Sequence, residues 1–214
     1  MTTWLWVGVA WAGDPCADAD AVTARSAEIQ AVYDAGEAER VDRSADTSSV
    51  LKRDEARVKQ MVAWDKKGEL CTPDDQWHAA WVMTQADKMD TIERAYALAQ
   101  ATMDAFHPNG AWLVAYTFDL KRVRGGYRQS YGTQTRVNER NQRCLIEIEP
   151  DVTDAERAQY GQKPLADVYR SILDLNGFPT DEPTLDRVER RGLSCPAVAL
   201  SKRDQRRIVP PDET

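Results

Sequence analysis

The run AWLVAYTFDLKRVR, residues 111–124, constrains this chain more than any other stretch. Its first half is apolar almost all round, which a helix tolerates only when neighbours cover every side of it. Asn109 is placed to cap its start and Gly125-Gly126 to end it. The remaining elements must therefore pack around this helix. Asp119 sits inside it between Phe118 and Leu120. A carboxylate in such surroundings has to be paired or protonated, because an unpaired buried charge is costly.

The elements before it read as helices. Residues 18–40 carry Val22, Ile29, Val32 and Tyr33 at helical spacing. Asp46-Thr47-Ser48 can cap a second helix to about Lys67, stopped by Gly68. Thr72-Pro73-Asp74-Asp75 opens a third, with proline early and acids in the first turn. A fourth spans about 90–106, with Ile92, Ala95, Tyr96, Ala99 and Met103 on one face.

After Gly126 the period changes. Tyr131, Thr133, Thr135 and Val137 alternate, and CLIEIE (144–149) alternates again after the polar turn 138–141. The pattern predicts a β-hairpin of roughly 129–137 with 143–149. Thr153 to Glu156 opens a short helix, and Pro164 starts another that ends at Asn176-Gly177. From 177 onward, prolines and charges predict an extended tail, with one helix near 184–191. The expected fold class is mainly α: a domain over 13–176 of about six to seven helices with one small β-hairpin at about 129–149.

The first residues, MTTWLWVGVAWAGDPC, contain an apolar run from Trp4 to Ala12 that ends in Ala10-Trp11-Ala12, the small-x-small form cut by signal peptidase. Residues 1–12 are expected to be a signal peptide, in preference to a buried N-terminal strand. The run is too short to span a bilayer as a helix, so no stable membrane anchor is expected after cleavage. The predicted location is periplasmic or secreted. Four cysteines suit that compartment: Cys16, Cys71, Cys144 and Cys195. Three pairings are possible. If the first two helices form an antiparallel hairpin, Cys16 comes close to Cys71, and Cys144 is left for Cys195. Without a CxxC or a Cys/His cluster, zinc is not expected. Asp14, Asp18 and Asp20 lack the glycine and terminal glutamate of a calcium loop. No metal or other cofactor is predicted. The net charge of −7 argues against nucleic acid as a partner, and the basic run 121–128 reads as a solvated helix end.

The candidate chemistry is sparse. His78 and His107 have no nucleophile or ligand partner nearby in sequence and read as structural. Asp87 and Asp119 could act as general acid and base if the fold joins them. The opposing reading is that each caps or pairs with an arginine such as Arg157. Gln129, Tyr131 and Thr133 are two apart, so an extended strand would turn them to one face, with Gly132 admitting a close neighbour. That face, with Gln134, is either a ligand site or a network clamping the hairpin to the central helix.

The runs HPNGAWLVAYTFDLKRVRGGYRQSYGTQ (107–134) and EPDVTDAERAQYGQKPLADVY (149–169) resemble a bacterial family of secreted domains of unknown function. Its members are similar in order: an H-A-D or H-G-D step, a helix containing D-R, the motif G-x-x-Q-x-[YF]-G-T-Q, then V-T-D-x-x-R before a proline-started helix. The likeness covers about residues 75–170. It falls on Asp87, Asp119, Gly126, Gln129, Tyr131 to Gln134 and Arg157. Gln85 stands where the family pattern has histidine, and Leu120 where arginine follows the aspartate. The resemblance implies a shared polar site, and any acid–base reaction routed through that histidine would be lost here.

These readings lead to an exported binding or interaction domain of the cell envelope. Its site would hold Asp87, Asp119, Gln129, Tyr131, Thr133, Gln134 and Arg157 between hairpin and helices, and its partner would be a small polar ligand or an envelope protein. The alternative is a hydrolase using Asp87 and Asp119, with Tyr131 and Gln134 orienting substrate.

Overall fold

A computed structural model describes residues 14–41 and 47–197. The expected signal peptide at 1–12, the Asp46 cap and the tail beyond 197 lie outside the described residues. Eight helices occur among the described residues: α1 (Ala19–Val41), α2 (Thr47–Lys66), α3 (Pro73–Met83), α4 (Met89–Asp104), α5 (Gly110–Arg124), α6 (Asp154–Gln159), α7 (Leu165–Leu175) and α8 (Leu185–Arg190). Three short strands, β1 (Thr135–Val137), β2 (Arg143–Ile146) and β3 (Ser194–Cys195), form one sheet in the order β1-β2-β3. The fold is mainly α with a small β element.

Local sequence explains the helix starts. Thr72 caps α3 and Thr153 caps α6, each in a reciprocal box with the acid three residues on, Asp75 and Glu156. Thr184 caps α8 through the Arg187 amide. Asn109 precedes α5 but makes no side-chain cap bond.

α5 is the central helix. Leu113, Val114, Ala115, Tyr116, Leu120 and Val123 are all buried. Trp77, Trp81 and Met83 from α3, Ile92 and Leu98 from α4, and Ile29, Met61 and Trp64 from α1 and α2 complete the main core. Gly110 lets α5 approach α4 closely. A Cβ there would lie 2.7 Å from the Met103 backbone.

Both disulfides form as the helix-hairpin reading and elimination predicted: Cys16–Cys71 joins the start of α1 to the α2–α3 connection, and Cys144–Cys195 ties β2 to β3. The β1–β2 pair is antiparallel, with Thr135 opposite Leu145 and Arg136 opposite Cys144. β3 adds in parallel, with Ile146 opposite Cys195. Residues 177–197 are therefore packed, not extended. Val188 and Leu193 are fully buried with Tyr169, Ile172, Leu173 and Leu145 in a second, smaller core. Few apolar residues among prolines suffice because a disulfide and a strand hold them in register.

The hairpin is shorter than its alternation suggests. Residues 129–134 do not run as a strand; Gln129 makes an isolated bridge to Ile148, and pairing begins at Thr135. The reason lies in Asp119.

Candidate functional site

Asp119 is fully buried, and its carboxylate accepts four donors from Ser130, Tyr131 and Thr133 of the 129–134 loop. Oδ1 accepts the Ser130 amide at 2.7 Å and the Tyr131 amide at 3.0 Å. Oδ2 accepts the Thr133 amide at 3.1 Å and the Thr133 hydroxyl at 2.9 Å. Three backbone amides can converge on one carboxylate only if the chain curls, which is why the strand starts late. Gly132 makes the curl possible at φ 75°, with Ile148 and Arg157 so close that a Cβ would sit 3.1 to 3.2 Å from them. Burial pushes the Asp119 carboxyl above its ordinary range, and the donors from Tyr131, Ser130 and Thr133 pull against that shift.

Around this carboxylate the polar side chains serve the backbone. Gln129 Nε2 donates to the carbonyls of Gln134 (2.9 Å) and Ile146 (2.6 Å), and its Oε1 accepts the Gln134 amide at 2.7 Å. Gln134 Nε2 donates to the Tyr116 carbonyl and to the Thr133 hydroxyl. Arg157, 1% exposed, directs Nε and Nη2 at the Lys163 carbonyl and Nη1 at the Tyr131 carbonyl. Its hydrogen bonds go to carbonyls, and the acid it pairs with is Asp154, Nε to Oδ1 at 3.6 Å. The Tyr131 ring packs between Phe118 and Tyr160, and burial beside the Tyr160 hydroxyl raises its pKa. The Ser130, Tyr131 and Thr133 amides and the Thr133 hydroxyl thus close on Asp119, while Gln129, Gln134 and Arg157 brace the same loop through its backbone, and the whole fastens the loop to α5.

Asp87 is not part of it. This exposed residue follows α3 and lines a separate open cavity of about 760 Å³, walled by α2 on one side and by Gln85 to Lys88, Thr91 and Arg124 on the other. Leu51, Val58 and Val62 give the α2 wall an apolar surface. Arg124, at the end of α5, donates through Nη1 to the Ala86 carbonyl, while its Nε is shielded without a partner. Burial lowers the Arg124 pKa, opposed by the charge of Asp87. The paired-carboxylate arrangement does not arise: Asp119 is sealed, and Asp87 is absent from its partners.

Arg124 and the α2 residues were not singled out from sequence as site residues. The run KRVR carried Arg124, but nothing in it distinguishes a cavity cation from a solvated helix end. Both histidines pack in the aromatic cluster around Trp77. His107 stacks on Trp77 and meets Asp74 at 3.2 Å; His78 packs against Tyr33 and Trp77. Among the described residues no cluster of three or more histidine, cysteine or acidic side chains could hold a metal, and no helix is long and apolar enough to cross a membrane. Comparisons of the chain with known protein families, with curated proteins and with solved structures each found no match.

Proposed function

We propose that this protein is an exported binding domain of the cell envelope, and that it takes a small polar ligand in the cavity between α2 and the α3–α4 turn. The observation that carries this reading is the cavity itself. Its volume of about 760 Å³ suits a small organic molecule, and its wall combines an apolar surface with a few convergent polar groups. The Asp119 lock has no such room, since Asp119, Gln129 and Gln134 are fully buried and bonded to one another or to backbone. The step Gln85–Asp87, on which part of the resemblance to the bacterial secreted family rests, lines the cavity. Two disulfides favour an oxidising compartment.

Saturation-transfer NMR with a defined panel tests the binding: hexanoate, 1-hexanol, hexylamine, glucose and N-acetylglucosamine. At least one should bind, and Thr91→Trp, which fills the cavity from α4, should abolish that signal without lowering the melting temperature. Silence across the panel would count against the reading. Export is checked separately by N-terminal sequencing of the protein from fractionated cells. A periplasmic or secreted chain starting after Ala12 supports it; an intact Met1 in the cytosol opposes it.

A further inference from the structure

We infer that Arg124 makes this cavity selective for organic anions, a carboxylate carried on a short apolar body. This rests on the binding reading above and names its ligand class. Arg25, Arg40, Arg57 and Arg94 each meet a carboxylate at 2.6 to 2.9 Å. Arg124 meets none among the described residues. Its one hydrogen bond goes from Nη1 to the Ala86 carbonyl; Nε is shielded without a partner, which leaves Nη2 as the donor open to a ligand. A guanidinium is permanently charged and presents a planar fork of donors that matches a carboxylate. A half-buried one with no carboxylate in contact, only the more distant charge of Asp87, is under-satisfied, and an incoming anion supplies the contact that the chain does not.

The surroundings set the rest of the ligand. The lining carries four cationic side chains and three carboxylates. One of those carboxylates, Asp54, is already held by Arg57 at 2.8 Å. Asp87 is exposed and makes no contact ion pair with Arg124; its charge reaches the guanidinium only at longer range, where water weakens it. The local balance is therefore positive although the whole chain carries −7. Leu51, Val58 and Val62 face the same space and suit an aliphatic or aromatic body of a few carbons. A purely structural Arg124, a strut from α5 to the α3–α4 turn, would leave charged and neutral molecules of equal shape bound alike.

Isothermal titration of the wild-type protein with hexanoate, 1-hexanol and hexylammonium separates these cases. Hexanoate should bind about tenfold tighter than the alcohol or better, as one charge-assisted fork contact implies, and hexylammonium should bind no better than the alcohol. Raising the salt should weaken hexanoate alone. Arg124→Met should remove the preference, so that hexanoate binds the variant no tighter than hexanol does. If hexanoate and hexanol bind equally, or hexylammonium binds most tightly, the anion assignment is overturned and the cavity stands. If no probe binds and Thr91→Trp changes nothing, cavity and anion assignment both fall. Should Arg124→Met not fold, the comparison of the three probes on the wild type still decides.

Discussion

Thr133 delivers both its amide and its hydroxyl to one oxygen of Asp119, at 3.1 and 2.9 Å. With Ser130 and Tyr131 on the same carboxylate, this pair joins the central helix to the loop that leads into the sheet. The charge is buried but met by four donors, the condition under which a buried carboxylate stabilises a fold. The joint acts alongside the Arg122–Glu149 pair, the Gln134 bond to the Tyr116 carbonyl and the Val123–Ile146 contact in fixing the downstream chain on α5.

Asp119→Asn should therefore destabilise the protein by about 2–4 kcal/mol, because the amide nitrogen of asparagine would confront backbone N–H groups and leave donors unpaired. Thr133→Val should cost about 1–3 kcal/mol, because the hydroxyl both donates to Asp119 and accepts from Gln134 Nε2. Urea unfolding monitored by circular dichroism measures both. An Asp119→Asn variant as stable as the parent would contradict the lock.

The two disulfides close loops of similar separation, 55 and 51 residues, so loss of either should cost about 4 kcal/mol on loop-closure grounds. Access distinguishes them. Cys16 is exposed, whereas Cys144 and Cys195 are 0% and 4% exposed. Under native conditions a mild reductant should open Cys16–Cys71 first. Alkylation followed by peptide mass spectrometry reads the order, and simultaneous labelling of all four cysteines would oppose it.

Phe106 ends α4 with φ 58° and is 93% exposed. Left-handed backbone is strained for a residue with a Cβ, and this ring has almost no packing to offset the strain. Phe106→Gly should stabilise the protein by about 1 kcal/mol. Thermal denaturation tests this; a lower melting temperature would show that the ring packs after all.

His78 is pushed below its ordinary value of 6.5, first by burial, with Asp74, Asp75 and Asp34 opposing and His107 reinforcing the shift. As pH falls through that value the unfolded chain takes the proton before the folded one. Stability is thus full above about pH 6.5 and declines on acidification, by at most about 1.4 kcal/mol per pH unit from this group. The melting temperature at pH 5.5 relative to 7.5 should drop less in His78→Gln than in the wild type. An equal drop would assign the slope to other groups.

Much of this architecture follows from local patterning. The apolar circumference of 111–124 required a central helix. Helical spacing, the starts at Thr72 to Asp75 and Thr153 to Glu156, and the Gly125-Gly126 stop marked the elements. An antiparallel α1–α2 hairpin implied the Cys16–Cys71 bond, because period, capping and chain reversal act within a few residues. The alternation of 129–137 misled, because a strand pattern records which side chains are polar and not what their backbone amides are bonded to. Only the tertiary structure decided that those amides turn inward to Asp119, that Arg157 spends its donors on carbonyls, and that Asp87 belongs to a different place. It also made the cavity, since α2 and the end of α5 are separated by more than fifty residues. No local rule brings Val58 and Arg124 to the same space; long-range packing around α5 does.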